Sequence, residues 1–395
     1  MDSFPASSPN FGVNEGDNSP VVLASHADLP TGPWIENPPW SGFDLLLLTG
    51  VVVFGIFFFT AISVGVLHGI YGRPLSELAG NPSVWMVVPA EGAAYVVMFA
   101  VLYWLAGSRH LRFWQALSWN WPQGFGWAGF LLVGFVLAFV AGLLQKALPL
   151  PKELPIEKLF LQPGAPQVLA LFGVLVAPFV EETFFRGLLY PVSNRWLRDV
   201  VSSPQRLRRG SVLFLCLIPW GFVAQWRPPL GWMVLTMTAM IVTGIVCFRR
   251  GLEKIGPEAV RPILAGLAFF SWALIAAHVS RLVVVAVSVV LLGVVFAMTI
   301  LEVKLRDGSA ALRIGIACSF VLTAVSFTLL HGAQLGGSWS PLLVLLVISS
   351  VLTFARARTK SLATSVIIHV GYNGALFGSM YFATDHFRHL EHLAR

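Results

Sequence analysis

Apolar stretches alternate with short polar loops along most of the chain, at about 43–68, 84–106, 124–145, 167–190, 211–226, 229–248, 262–279, 282–303, 311–335, 341–355 and 361–382. A helix rises about 1.5 Å per residue, so about 20 apolar residues cross a hydrocarbon core about 30 Å thick. Backbone groups in lipid must be satisfied within their own segment, which leaves helices as the reading for runs of this length. The pattern therefore predicts an all-α fold, a polytopic integral membrane helix bundle with about eleven apolar runs. The fifth and tenth runs are short for a full span. Pro228 and Pro229 divide the fifth from the sixth, which predicts re-entrant pieces or one broken helix. Residues 1–40 are unlike the rest: Pro, Ser and Asn are frequent, acids occur at Asp2, Glu15, Asp17, Asp28 and Glu36, and Lys and Arg are absent. That composition predicts a disordered acidic tail, followed by one membrane-embedded domain over 41–395.

Composition agrees with the pattern. Of 395 residues, 56% are hydrophobic and 11% charged, against about 25% charged in an ordinary soluble domain. Too little polar surface is available to coat the fold in water, so lipid is the main partner. The net charge of +7 would suggest nucleic acid in a soluble protein. In a membrane protein, basic loops facing an anionic leaflet account for it, and no nucleic-acid partner is expected. With the N-terminus inside, seventeen of the 26 basic residues fall in inside loops and eight outside, which predicts a cytoplasmic N-terminus and, in a bacterium, the cell membrane. Cys216, Cys247 and Cys318 all lie in apolar runs and indicate neither a disulfide framework nor a Cys-rich metal site. Tryptophans near run ends, among them Trp40, Trp85, Trp119, Trp121 and Trp226, fit an aromatic belt.

Against this background, each ionisable residue inside a span is a candidate functional group, because burying it in hydrocarbon costs several kcal/mol unless it is paired or faces a cavity. Glu181-Glu182-Thr183-Phe184-Phe185-Arg186 is the densest such cluster. Glu182 and Arg186 are four residues apart and share a helix face, where they can neutralise each other. Glu181 is turned about 100° away without a local counter-ion, which leaves its carboxylate available as a general base. Phe327 and His331 repeat the four-residue spacing in a later span, as do His369 and Asn373 in the last one. If the three clusters converge, Glu181 and one histidine can hold and deprotonate a water while Asn373 and the other histidine stabilise an oxyanion. The same Glu181, His331 and His369 could instead hold Zn²⁺. The HExxH spacing of zinc peptidases is absent, so the expectation is no cofactor, with zinc as the alternative. An inert ion-pair knot is the plain structural alternative for the glutamates and Arg186. Glu91, between Pro89 and Gly92, either lines the cavity or pairs with a base on another span. Asp44, His278 and Glu302 read as interfacial, and His386, His389 and His392 as a solvated helix end.

In order and position, Glu181-Glu182-x-x-x-Arg186, Phe327-x-x-x-His331 and His369-x-x-x-Asn373 resemble the CPBP (CAAX protease and bacteriocin-processing, or ABI) family of intramembrane proteases. The resemblance covers about residues 160–195 and 311–382. It implies an endopeptidase of the type II CAAX prenyl kind acting on a membrane-anchored protein or peptide, prenylated CAAX proteins included. By position, Glu181 matches the family's catalytic base, His331 its water-holding partner, His369 and Asn373 its oxyanion pair, and Glu182, Arg186 and Phe327 the supporting residues. Two readings from other classes stay open: a non-catalytic immunity or scaffold protein, and a transporter. One departure is large, since 140 positions separate Arg186 from Phe327, and the sequence predicts an inserted helical segment at about 211–308. A second concerns depth. Glu181 is 14 positions from Arg195, whereas His331 is 18 from Arg313, which would set the histidine too far outward unless its helix is tilted or begins later.

Overall fold

A computed structural model describes residues 34–80, 83–121, 125–149, 155, 157–225, 260–304 and 308–389. The described residues contain no strand. Their long helices are α1 (Gly42–Tyr71), α2 (Val84–Ser108), α3 (Gly126–Ala147), α4 (Ala165–Val201), α5 (Pro204–Ala224), α6 (Val260–His278), α7 (Arg281–Lys304), α8 (Gly308–Leu330), α9 (Trp339–Thr359) and α10 (Leu362–Ala383). Eight of these, all but α6 and α10, are long and apolar enough to cross a membrane. The chain is a multi-pass membrane protein whose described secondary structure is all helical. Ten of the eleven apolar runs lie on helices, and the run at 229–248, with Pro228, Pro229 and Cys247, lies outside the described residues. The fifth and tenth runs are not short pieces: α5 and α9 each have 21 residues, because polar residues at their ends continue the helix beyond the apolar stretch.

The polarity of α10 has a physical reason. Its Thr, Ser, His, Asn and Gly residues dilute it below the composition of a lone span, yet almost every residue from Leu362 to Tyr372 is buried. It sits among other helices, so it does not need a lipid-facing surface. It crosses α3 at Gly134 and Gly371, where a Cβ on Gly134 would lie 2.8 Å from the Gly371 Cα and 2.7 Å from the Tyr372 nitrogen. Only small residues allow this approach. The surrounding core joins α3, α9 and α10 through Leu137, Ala141, Val344, Ile348, Leu352 and Ile368. Large apolar side chains such as Phe57 on α1 and Phe296 on α7 point outward, as lipid-facing residues do.

α4 is 37 residues long, about 55 Å, and it is not uniformly α-helical. Two wide π-helical turns interrupt it, at Phe172–Val176 and Thr183–Leu189. Each ends two residues before a proline, Pro178 and Pro191. A proline ring collides with the carbonyl four residues back and offers no N–H, and one extra residue in the preceding turn relieves the collision. Glu181 and Glu182 end the short α-helical piece Ala177–Glu182 between the two turns.

Several residues assigned to the tail or the interface by composition are packed instead. Trp40 is 2% exposed and donates its indole N–H to the Ala116 carbonyl, so it belongs to the core and not to an aromatic belt. Trp85 and Trp121 are exposed. Glu36 is buried, and Asp44 caps α1 through Ser41 and binds Arg109 at 2.6 Å, stapling α1 to the end of α2. α5 and α6 lock together through Trp220 donating to Phe269 and Trp272 donating to Leu217.

Candidate active site

Three helices bring the polar motifs together. α8 runs antiparallel to α4 in a fixed register. A Cβ on Gly315 would lie 2.8 Å from the Arg198 Cα, Ser319 bonds Asn194, Phe327 packs on Phe185 with ring centroids 5.2 Å apart, and His331 reaches Glu181. Twelve residues separate Gly315 from Phe327, and twelve separate Arg198 from Arg186. The outward displacement expected for His331 does not arise, because Arg313 lies level with residue 200 and not with Arg195. The two counts began from different depths. α8 also ends at Leu330, earlier than the apolar run suggests, and His331 opens the turn that leads to α9.

Glu181 faces two histidines, His331 just past the end of α8 and His369 on α10. His331 Nε2 lies 3.7 Å from one of its carboxylate oxygens and His369 Nε2 lies 3.9 Å from the other. Both separations exceed a direct hydrogen bond. The far nitrogens are occupied: His331 Nδ1 is 2.9 Å from the Phe327 carbonyl and His369 Nδ1 is 2.9 Å from Glu182 Oε1. A carbonyl and a carboxylate only accept, so each Nδ1 carries the proton and each Nε2 is turned to Glu181. Three basic atoms thus converge with no donor between them, a geometry suited to a small molecule that donates protons. Phe327, 1% exposed, supports both rings, with centroids 4.7 Å from His331 and 5.9 Å from His369.

Glu182 and Arg186 form the pair expected from their spacing, at 2.9 Å and with neither side chain exposed. The guanidinium also donates to the Ser349 carbonyl at 3.0 Å, to Ser349 Oγ at 2.6 Å and to Thr353 Oγ1 at 3.4 Å, and it lies 4.5 Å from the centre of the Phe327 ring. The pair is more than a local knot, because Glu182 Oε1 accepts from Arg186 and His369 together while Oε2 has no partner among the described residues. Two carboxylates against one guanidinium leave a negative charge, which one further proton on the cluster neutralises.

Asn373 is placed differently. Its amide donates to the Gly173 carbonyl at 2.6 Å, one turn along α10 from His369. Gly173 needs this donor because the wide turn sends the Ala177 N–H to Phe172, and the next residue, Pro178, has none. One amide hydrogen of Asn373 remains for other use. Glu91 is half-buried on α2 and interacts electrostatically with Glu181, and no ion pair to it is found among the described residues. Tyr95, one turn along α2, stacks on Phe172 of the first wide turn. Among the described residues no group of three or more His, Cys, Asp or Glu side chains is arranged to hold a metal ion.

Sequence reasoning missed Ser349 and Thr353, whose four-residue spacing inside an apolar run was the available signal. It also missed that Glu182 and Arg186 begin a longer stripe, continued at the same spacing by Tyr190, Asn194 and Arg198. No curated protein and no solved structure matches this chain. Residues 304–375 match the family model described as "Type II CAAX prenyl endopeptidase Rce1-like"; this stretch holds Phe327, His331, His369 and Asn373, and the Glu181 cluster lies before it. With those motifs on adjoining helices of a multi-pass membrane bundle, residues 304–375 are similar to the type II CAAX prenyl endopeptidase family.

Proposed function

We propose that the protein is a glutamate-dependent intramembrane endopeptidase acting on a membrane-anchored protein or peptide, with prenylated CAAX-type C-termini as the substrate class that the family description names. One observation carries the reading: two histidines with their Nδ1 atoms tied off turn Nε2 toward the two oxygens of one carboxylate. A water in that gap donates one hydrogen to Glu181 and the other to His331 Nε2. Glu181 takes the proton as the water oxygen attacks the scissile carbonyl carbon. With the cluster's one further proton on His369 Nε2, the oxyanion of the tetrahedral intermediate accepts from that N–H and from the second amide hydrogen of Asn373. As the C–N bond breaks, protonated Glu181 returns its proton to the leaving amine. Glu182 orients His369, and Arg186 holds Glu182 in place. No metal is needed in this scheme. The segment at about 211–308 is read as an insertion that shapes access, and the N-terminus as cytoplasmic, in a cell membrane if the source is bacterial.

The test is cleavage of a fluorogenic prenylated CAAX-type peptide and of an unprenylated membrane peptide by the full chain in nanodiscs. Glu181→Gln preserves shape and removes the base, so it should lower kcat by at least about 10²-fold with folding unchanged. Full activity in that variant refutes the mechanism. A variant that fails to fold while conservative neighbours are also inactive favours the scaffold reading.

A further inference from the structure

The stripe on α4 does not end at the active site. Glu182, Arg186, Tyr190, Asn194 and Arg198 follow one another at four-residue spacing, and Ser349, Thr353, Arg356 and Lys360 run beside them on α9 and its end. The upper rung is Arg186 bonded to Ser349 and Thr353. The lower rung is formed by a third segment, Trp34–Trp40. Glu36 binds Arg356 at 3.0 and 3.3 Å and Lys360 at 3.0 Å through its carboxylate. Its backbone N–H donates to Asn194 Oδ1 at 3.1 Å and its carbonyl accepts from Arg198 at 2.6 Å. One residue therefore joins α4 to α9 through backbone and side chain alike.

We propose that Glu36 is a positioning residue for the Glu181 site, acting through the polar column that joins α4 to α9. Arg356, 1% exposed, and Lys360 share the Glu36 carboxylate as counter-ion, while Arg198, 5% exposed, is held by the Glu36 carbonyl. Lys360 adopts a left-handed backbone conformation, φ 56°, that a lysine rarely takes, and its Nζ is held at 2.6 Å by the Ile35 carbonyl as well as by Glu36. Such a conformation persists where surrounding bonds over-determine it. The cage is no second substrate site. Asn194 is twelve residues from Glu182, about 18 Å along the helix, too far for its cage to touch the bond cleaved at Glu181. Its effect travels instead through α9. With Arg356 anchored, Ser349 and Thr353 meet Arg186, Arg186 holds Glu182, and Glu182 orients His369. At the column's lower end Arg356 Nε is buried with no hydrogen-bond partner among the described residues, so it tolerates the loss of Glu36 poorly.

The experiment uses the full chain in nanodiscs with Glu36→Gln, and Glu36→Asp as the conservative variant. Its catalytic arm rests on the proposed peptidase reading; its exchange arm does not. Amide hydrogen exchange over Thr183–Leu189 should rise on the order of tenfold in Glu36→Gln, with α3 unchanged. Turnover of the fluorogenic prenylated peptide should fall on the order of tenfold in kcat with KM held within about twofold, and Glu36→Asp should recover most of it. Unchanged exchange overturns the proposal. Raised exchange with unchanged kcat overturns it too, since the column is then structural alone. If Glu36→Gln does not fold, Lys360→Met, which removes a partner about a third exposed, is read the same way. If Glu181→Gln is as active as wild type, the base assignment fails and exchange alone decides on the column.

Discussion

Arg186 separates the value of hydrogen bonds in this bundle from the value of charge. The guanidinium donates three bonds to α9 and one to Glu182, and both ionic partners are wholly buried. Side-chain hydrogen bonds between membrane helices average about 0.6 kcal/mol, so losing the three to α9 costs about 2 kcal/mol. Removing one partner of a buried ion pair strands the other and costs about 3–5 kcal/mol. The second effect is the larger, and two substitutions divide them. Arg186→Lys loses most of the fork geometry but keeps the charge, with an expected cost of about 2 kcal/mol. Arg186→Gln keeps an amide donor but strands Glu182, whose Oε2 has no partner among the described residues, with an expected cost of about 3–5 kcal/mol. Adding Glu182→Gln to Arg186→Gln removes the stranded charge and should recover at least about 2 kcal/mol, a coupling that a double-mutant cycle reads directly. The assay is equilibrium unfolding in mixed detergent micelles, followed by tryptophan fluorescence and a second probe. Equal losses for the Lys and Gln variants, or additivity in the cycle, would refute the argument that charge dominates.

Three other outcomes are expected. Asn373→Ala should lower kcat by about 10²–10³-fold if its free amide hydrogen meets the oxyanion, and should also lower the melting temperature because the Gly173 carbonyl loses its donor; a melting change without a rate change leaves Asn373 structural. Chelation with EDTA or 1,10-phenanthroline should leave turnover within about twofold, whereas loss that Zn²⁺ restores reassigns Glu181, His331 and His369 as a ligand set. Gly315→Leu drives a side chain into the α4 backbone at Arg198 and should destabilise by at least about 1–3 kcal/mol, seen as a lower detergent unfolding midpoint, while Gly293→Leu on α7, where nothing lies within 4 Å, serves as the tolerated control.

How much of this was legible follows from the range of each interaction. Apolar runs, the Glu182–Arg186 pair and the shared faces of Phe327 with His331 and of His369 with Asn373 depend only on helical periodicity, which is local. The prolines that force the wide turns were equally visible. Residues 34–40 were misread because composition averages over a window, whereas Glu36 and Trp40 are fixed by Arg356 and Ala116, which lie far along the chain. The depth of His331 was misjudged for a related reason: flanking basic residues need not lie level on neighbouring helices.

Sequence alone therefore determined the solvent, the helices, the residue pairs within each helix and the family resemblance carried by their order. Only the tertiary structure decided that both histidines turn the same nitrogen to Glu181, that Asn373 first satisfies a carbonyl freed by Pro178, and that the stripe through Glu182 and Arg186 continues to Glu36. Those outcomes depend on the register of α8, α9 and α10 against α4. Register is set by close approach at residues such as Gly315 and by side chains more than a hundred positions apart, and neither is a local property of the chain.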